Sequence, residues 1–137
     1  MGILEILDRN SFKKKQSHIK NLIEVALADG IVDNEESILL LDVAKRMNVT
    51  EQQVNEIKDN LDAISFVPPS GSKQRFNQVY DLVCMAMAHG RINPKGLELC
   101  KVLALKLGYM PLIVDDFIKI IDKKLSAKAK KSLKTAE

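Results

Sequence analysis

Two stretches of the chain that lie 60 residues apart decide the fold, ALADGIVDNEESILLLDVAKRMNVTEQQV (26–54) and AMAHGRINPKGLELCKVLALKLGYMPLIV (86–114). Around both, apolar residues recur at i, i+3, i+4, i+7 and i+8, the spacing of one buried helix face. The matching sets are Ile19, Leu22, Ile23, Ala26 and Leu27, and Val79, Leu82, Val83, Ala86 and Met87. Two further apolar stripes follow in each copy. The chain is therefore predicted to contain two tandem copies of a three-helix unit.

Residues that favour helix ends separate the stripes. Asp33 followed by Glu36 forms a D-x-x-E capping box, in which each side chain bonds the other residue's backbone N–H. Thr50 with Gln53 has the same spacing, and Asn93 before Pro94 supplies a cap and a first helical residue in the second copy. Gly30 is expected to end the preceding helix in a left-handed conformation.

The segment FVPPSGS (66–72) cannot continue a helix, because two prolines and a glycine oppose it. We assign repeat one to 12–64, a connector to 65–72, repeat two to 73–125 and a basic tail to 126–137. Each unit alone is too small for a sufficient core, and the connector is short, so we predict one all-α domain spanning 1–137.

Composition excludes several classes of protein. The 137 residues are 46% hydrophobic and 28% charged, contain two cysteines, and have no apolar run of transmembrane length. The N-terminal sequence MGILEILDRN carries acids where a signal peptide carries bases, so a cytoplasmic location is expected. Cys84 and Cys100 lie on apolar stripes and are expected to pack in the core. His18 and His89 are too few for a zinc site, and nucleotide-binding and hydrolase motifs are absent. We expect no enzyme activity.

Charge is distributed unevenly along the chain. Residues 21–64 hold ten acids and three bases, whereas residues 119–137 hold seven lysines and two acids. The acidic block is expected to contact a basic protein partner, and the lysine-rich end suits electrostatic docking. Because the two are complementary, a homo-oligomer is a further possibility, which added salt would weaken. Nucleic-acid binding is not expected, since the tail lacks arginine and aromatic residues, and peripheral membrane contact is a weaker alternative.

The segment ADGIVDNEE (28–36), the leucine-rich stripe after it, and the sequences NVT (48–50) and LGY (107–109) resemble the tellurite-resistance TerB family. The resemblance covers about residues 12–124. It implies a compact all-α domain of about seven helices with an internal duplication, found in bacterial stress proteins and, in a related form, in DnaJ-like co-chaperones. The family's D-G-x-x-x-x-x-E signature is intact in the first copy; in the second, His89, Gly90 and Gly96 stand at its positions.

The acidic turn offers one candidate site. The resemblance implies divalent-metal binding, and carboxylates are the ligands that calcium and magnesium prefer. The candidate ligands are Asp29, Asp33, Glu35 and Glu36. Helix capping is the competing explanation for Asp33 and Glu36. We therefore expect a non-catalytic interaction module, with a cation-binding protein and a polyanion binder as alternatives.

Overall fold

The computed structural model describes residues 2–28, 30–88 and 92–136, without the side chains of residues 7, 8 and 129–136. The described residues form α-helices and one 3-10 turn and contain no strand, which confirms the all-α prediction. The helices are α1 (Ile3–Leu27), α2 (Asn34–Arg46), α3 (Glu51–Asp59), α4 (Ser72–Ala86), α5 (Pro94–Lys106) and α6 (Leu112–Ala136), and the 3-10 turn spans Leu61–Ala63. Six described α-helices replace the seven implied by the family resemblance, because three apolar stripes in each half produce three helices.

Helices α2 and α5 end in the same backbone motif, 60 residues apart. After α2, Asn48 has a φ of 58°, and the N–H of Val49 donates to the carbonyl of Ala44 at 2.8 Å. After α5, Gly108 has a φ of 93°, and the N–H of Tyr109 donates to the carbonyl of Ala104 at 2.9 Å. This is the Schellman arrangement, in which a left-handed residue turns the chain back to satisfy the last carbonyls.

The centre of the core lies where α1 crosses α4. These helices contact each other and also reach most of the rest, since α1 packs on α2, α3 and α5, and α4 packs on α2, α5 and α6. The apolar stripes predicted from the sequence supply the contacts. The side chains of Ile19, Leu22, Ile23, Val79, Leu82 and Val83 are all buried. Close packing of branched side chains from both halves makes the two halves one body.

The connector is fixed to α1 by hydrogen bonds. Ser17 Oγ accepts from the N–H of Val67 at 2.9 Å, and Lys20 Nζ donates to the carbonyl of Ile64 at 2.6 Å. At the other end, α6 runs without a break through residue 125, where the sequence analysis placed the boundary between repeat two and the basic tail. Among the described helices, none combines the length and the apolar character needed to cross a bilayer.

Candidate functional site

The acidic turn forms the predicted cap of α2. Asp33 Oδ1 accepts from the N–H of Glu36 at 2.9 Å, and Glu36 Oε1 accepts from the N–H of Asp33 at 3.2 Å. Glu36 is buried, with 2% of its surface exposed. Two backbone donors at the start of the helix are thereby satisfied, and the carboxylates lie near the positive end of the helix dipole. The capping-box prediction is confirmed, and so is the same prediction for Thr50 and Gln53.

The four predicted metal ligands are only partly brought together. Asp33 and Glu36 meet in the cap, Glu35 is exposed in the first turn of α2, and Asp29 lies outside the described residues. Gly30 has a φ of 116°, as expected for the residue that ends the helix before this turn. Within the described part of the chain, no group of three His, Cys, Asp or Glu side chains is placed to hold a metal ion. Cation binding stays a prediction.

The corresponding turn of the second half has a different cap. Asn93 Oδ1 accepts from the N–H of Gly96 at 3.1 Å, and Pro94 follows at the first helical position. A Cβ atom at Gly96 would lie 3.1 Å from Asn93 Nδ2 and 3.4 Å from the carbonyl oxygen of Val25. The start of α5 therefore approaches α1 too closely for an unstrained glutamate at this position. His89 and Gly90 lie outside the described residues.

The acidic block of residues 21–64 does not form one surface. Glu24 lies 3.8 Å from Lys20, and Asp42 borders a groove between α2 and α4. Four other carboxylates are exposed on α3 and on the 3-10 turn after it: Glu51, Glu56, Asp59 and Asp62. Those on α3 lie opposite the buried Val54 and Ile57, as helix geometry requires. We call these four residues the α3 acidic surface.

A groove of about 550 Å³ adjoins the α3 acidic surface. It lies between α1, α3 and the connector. Glu56 belongs to both the groove wall and the acidic surface, and apolar lining comes from Phe12, Ile57 and Ile64. An extended segment with alternating basic and apolar side chains matches this combination of carboxylates and apolar wall.

A buried polar cluster joins α1, α2 and α4. His18, with 2% of its surface exposed, places Nε2 3.0 Å from Asp81 Oδ2, and Arg46 Nη2 donates to Asp81 Oδ1 at 2.9 Å. Burial raises the pKa of Asp81, but the hydrogen bonds and positive charges of His18 and Arg46 outweigh it, so the pKa lies below the ordinary value. Asp81 is thus held as a carboxylate.

The sequence analysis missed this cluster. It considered His18 only as a zinc ligand, and Asp81 and Arg46 only as charges. One signal was present, because His18 and Asn21 are polar residues within the most apolar part of α1. The partner of His18 lies 63 residues away. A single sequence does not reveal such a pairing.

Both cysteines are free, and burial accounts for their chemistry. Cys100 is fully buried, its Sγ donates to the carbonyl of Leu82 at 3.3 Å, and burial raises its thiol pKa to about 12. Cys84 is half-buried, and burial together with the charge of Asp81 raises its pKa to about 11. Both thiols stay protonated at neutral pH, so they lack the thiolate that a nucleophile requires.

The lysine-rich end continues α6 as a helix to Ala136. Lys119, Lys123 and Lys128 are exposed, whereas Lys124 Nζ donates to Tyr80 Oη at 3.0 Å. The exposed Ile120 and Leu125 lie among these lysines. The described part of this segment is therefore a helix with both basic and apolar exposed residues.

Comparison of the chain with protein-family models, with curated proteins and with solved structures finds no match.

Proposed function

We propose that the chain is a non-catalytic TerB-like interaction module of a bacterial stress response of the tellurite-resistance type, and that its α3 acidic surface contacts a basic protein segment. The proposed duplication is supported by paired features 60 residues apart. Helices α2 and α5 have the same length, and their bounds differ by 60 residues. The Schellman ends of the two helices have the same spacing.

The observation that carries the proposed contact is the state of the four carboxylates. Glu51, Glu56, Asp59 and Asp62 are exposed, and none makes an ion pair with a described residue. Lys58 is the basic residue among them. Carboxylates that stabilise a fold are paired or cap a helix, as Asp33 and Glu36 do. Uncompensated acids on one face attract a basic partner and increase its association rate.

The adjoining groove adds specificity to this electrostatic attraction. Apolar side chains of a partner segment would bury against Phe12 and Ile64, while its lysines approach Glu56. Charge complementarity sets encounter rate and orientation, whereas apolar burial supplies much of the affinity. A helical or extended segment rich in lysine, leucine and isoleucine is the partner chemistry that fits.

The experiment uses a labelled peptide with the sequence KIIDKKLSAKAKKSLK, residues 119–134 of this chain, as the basic probe. Fluorescence anisotropy measures its binding to the protein at low and at physiological salt. The variant Glu51→Gln/Glu56→Gln/Asp59→Asn/Asp62→Asn neutralises the α3 acidic surface. The matched control, Glu98→Gln/Asp115→Asn/Asp116→Asn/Asp122→Asn, neutralises four exposed acids of the second half.

We expect saturable binding that weakens with salt and falls at least about tenfold in the α3 variant, because each lost charge removes part of the attraction. The control variant should bind within about twofold of the unmodified protein if location and not net charge matters. Equal losses in both variants would contradict the proposal. Sedimentation of the full chain at low salt tests whether the same contact produces a homo-oligomer.

Divalent-cation binding at the acidic turn is the alternative function. The cap brings Asp33 and Glu36 to the turn that Asp29 precedes, which is the observation in its favour. Titration with calcium and with magnesium, followed by amide NMR, tests it on the unmodified protein and on Asp29→Asn/Glu36→Gln. Saturable shifts around residues 30–36 that the variant abolishes would support a cation site; unchanged spectra at millimolar metal would rule it out.

Polyanion or membrane-surface binding through the lysine-rich end of α6 is the weaker alternative. The exposed Ile120 and Leu125 among exposed lysines are the features that favour it. Retention on heparin or on anionic vesicles that is lost when the chain is truncated after Leu125 would support it. Absence of retention at low salt would exclude it.

A further inference from the structure

A second concave site lies between α1, α2 and α4. Its volume is about 340 Å³, and its polar lining includes Lys14, Lys15 and His18 of α1, Arg46 of α2, and Asn77 and Asp81 of α4. It shares no lining residue with the groove beside the α3 acidic surface. The size lies at the lower end of the range for small-molecule sites.

The charge balance of this pocket is positive. Its described carboxylate, Asp81, is already bonded by both His18 and Arg46. Lys14 and Lys15 are half-buried and make no ion pair with a described residue. Partial burial reduces the screening of these two charges by water, so an anion placed between them gains more than it would at an open surface.

His18 provides a second, independent observation. Its Nε2 faces the Asp81 carboxylate, while its buried Nδ1 has no hydrogen-bond partner among the described residues. Buried polar atoms are nearly always bonded, and one that is not costs free energy in the folded state. An unpartnered, 98% buried imidazole in the wall of a polar pocket indicates a place for a ligand atom.

We propose that this pocket binds the phosphate group of a small phosphorylated molecule. A phosphate has several acceptor oxygens, and donors on α1, α2 and α4 surround the pocket on different sides. The ammonium groups of Lys14 and Lys15 supply the charge. Arg46 has five N–H donors, so its bond to Asp81 leaves others for the ligand. The inference is independent of the proposed protein contact, because it uses other residues.

Inorganic phosphate is the probe, titrated into the isotope-labelled full chain at constant ionic strength. Amide shifts and the imidazole signals of His18 report the binding site. The variant Lys14→Ala/Lys15→Ala removes the two unpaired charges, and alanine is a good helix former, so α1 is retained. The matched control Lys123→Ala/Lys128→Ala removes two exposed lysines of α6. Succinate serves as a dicarboxylate comparison.

The expected result is a saturable shift of Lys14, His18 and Asn77 signals, weakened at least about tenfold by Lys14→Ala/Lys15→Ala and less than about twofold by the control. Phosphate should bind more tightly than succinate. No saturable shift, or equal weakening in both variants, would overturn the site. Binding of succinate without binding of phosphate would overturn the phosphate assignment.

Discussion

The starts of α2 and α5 solve the same problem with different residues. At α2, Asp33 and Glu36 satisfy the first backbone donors reciprocally; at α5, Asn93 alone accepts, and Gly96 occupies the position of the glutamate. Both helices have 13 residues. The comparison teaches that a helix start here needs one short polar acceptor, and that the second carboxylate is dispensable where the backbone packs closely against α1.

The α3 acidic surface and the start of α6 extend the comparison. Asp116 and Asp122 occur where α3 has Glu56 and Asp62, but Pro111 and Lys119 replace the other two acids. Lysines further along α6 dilute the remaining negative charge. Both segments are nevertheless helical. The full set of acids on α3 is therefore not required for the fold, which is why we assign it to a partner.

The largest effect is expected from breaking the core at equivalent positions. Leu22 and Leu82 are both fully buried where α1 crosses α4. Leu22→Ala and Leu82→Ala should each lower the free energy of unfolding by about 2–5 kcal/mol, because each leaves a cavity. Urea denaturation measures both, with the exposed Ile38→Ala as a control that changes stability by less than about 1 kcal/mol. A large loss in one half alone would contradict a shared core.

A smaller effect is expected from Asp81, whose partners are absent from the equivalent position, Asn21. Asp81→Asn should lower stability by about 2 kcal/mol, because His18 and Arg46 lose a charged acceptor.

The pH dependence of this difference follows from the lowered pKa. The folded-state pKa of Asp81 lies below the ordinary 3.8, so its stabilisation is fully present above that value and is lost as pH falls through the folded-state pKa. Denaturation at pH 5 and at pH 2.5 should therefore show a gap between variant and unmodified protein that narrows in acid. A gap that is constant across this range would show that the carboxylate charge is not what stabilises the cluster.

The smallest effects concern the two caps themselves. Asp33→Ala and Asn93→Ala should each cost about 1 kcal/mol, with the larger loss at Asp33 because Glu36 loses its reciprocal bond. Thermal or urea unfolding measures both, and Lys45→Ala on the exposed side of α2 is the control. If Asp33→Ala had no effect on stability, capping would not explain the acidic turn, and the cation alternative would gain weight.

Local chemistry made part of this structure predictable. The helical stripes, the capping boxes at Asp33 and Thr50, and the left-handed Gly30 all depend on residues within a few positions of one another. The pocket around His18 was not predictable, since it joins residues of three helices that are distant in sequence. The acidic block was predicted as one face, but Asp33 and Glu36 cap a helix while Asp42 lies toward α4. Counting charges along the chain cannot separate these roles.

The central claim is that the α3 acidic surface contacts a basic partner, and amide NMR of the labelled protein with the residue 119–134 peptide tests it most directly. The account predicts that the largest shifts lie between residues 50 and 64 and at Phe12, and that they saturate together and shrink with salt. Largest shifts at residues 111–122, or at Lys14 and His18, would contradict it, as would the absence of any shift at low salt.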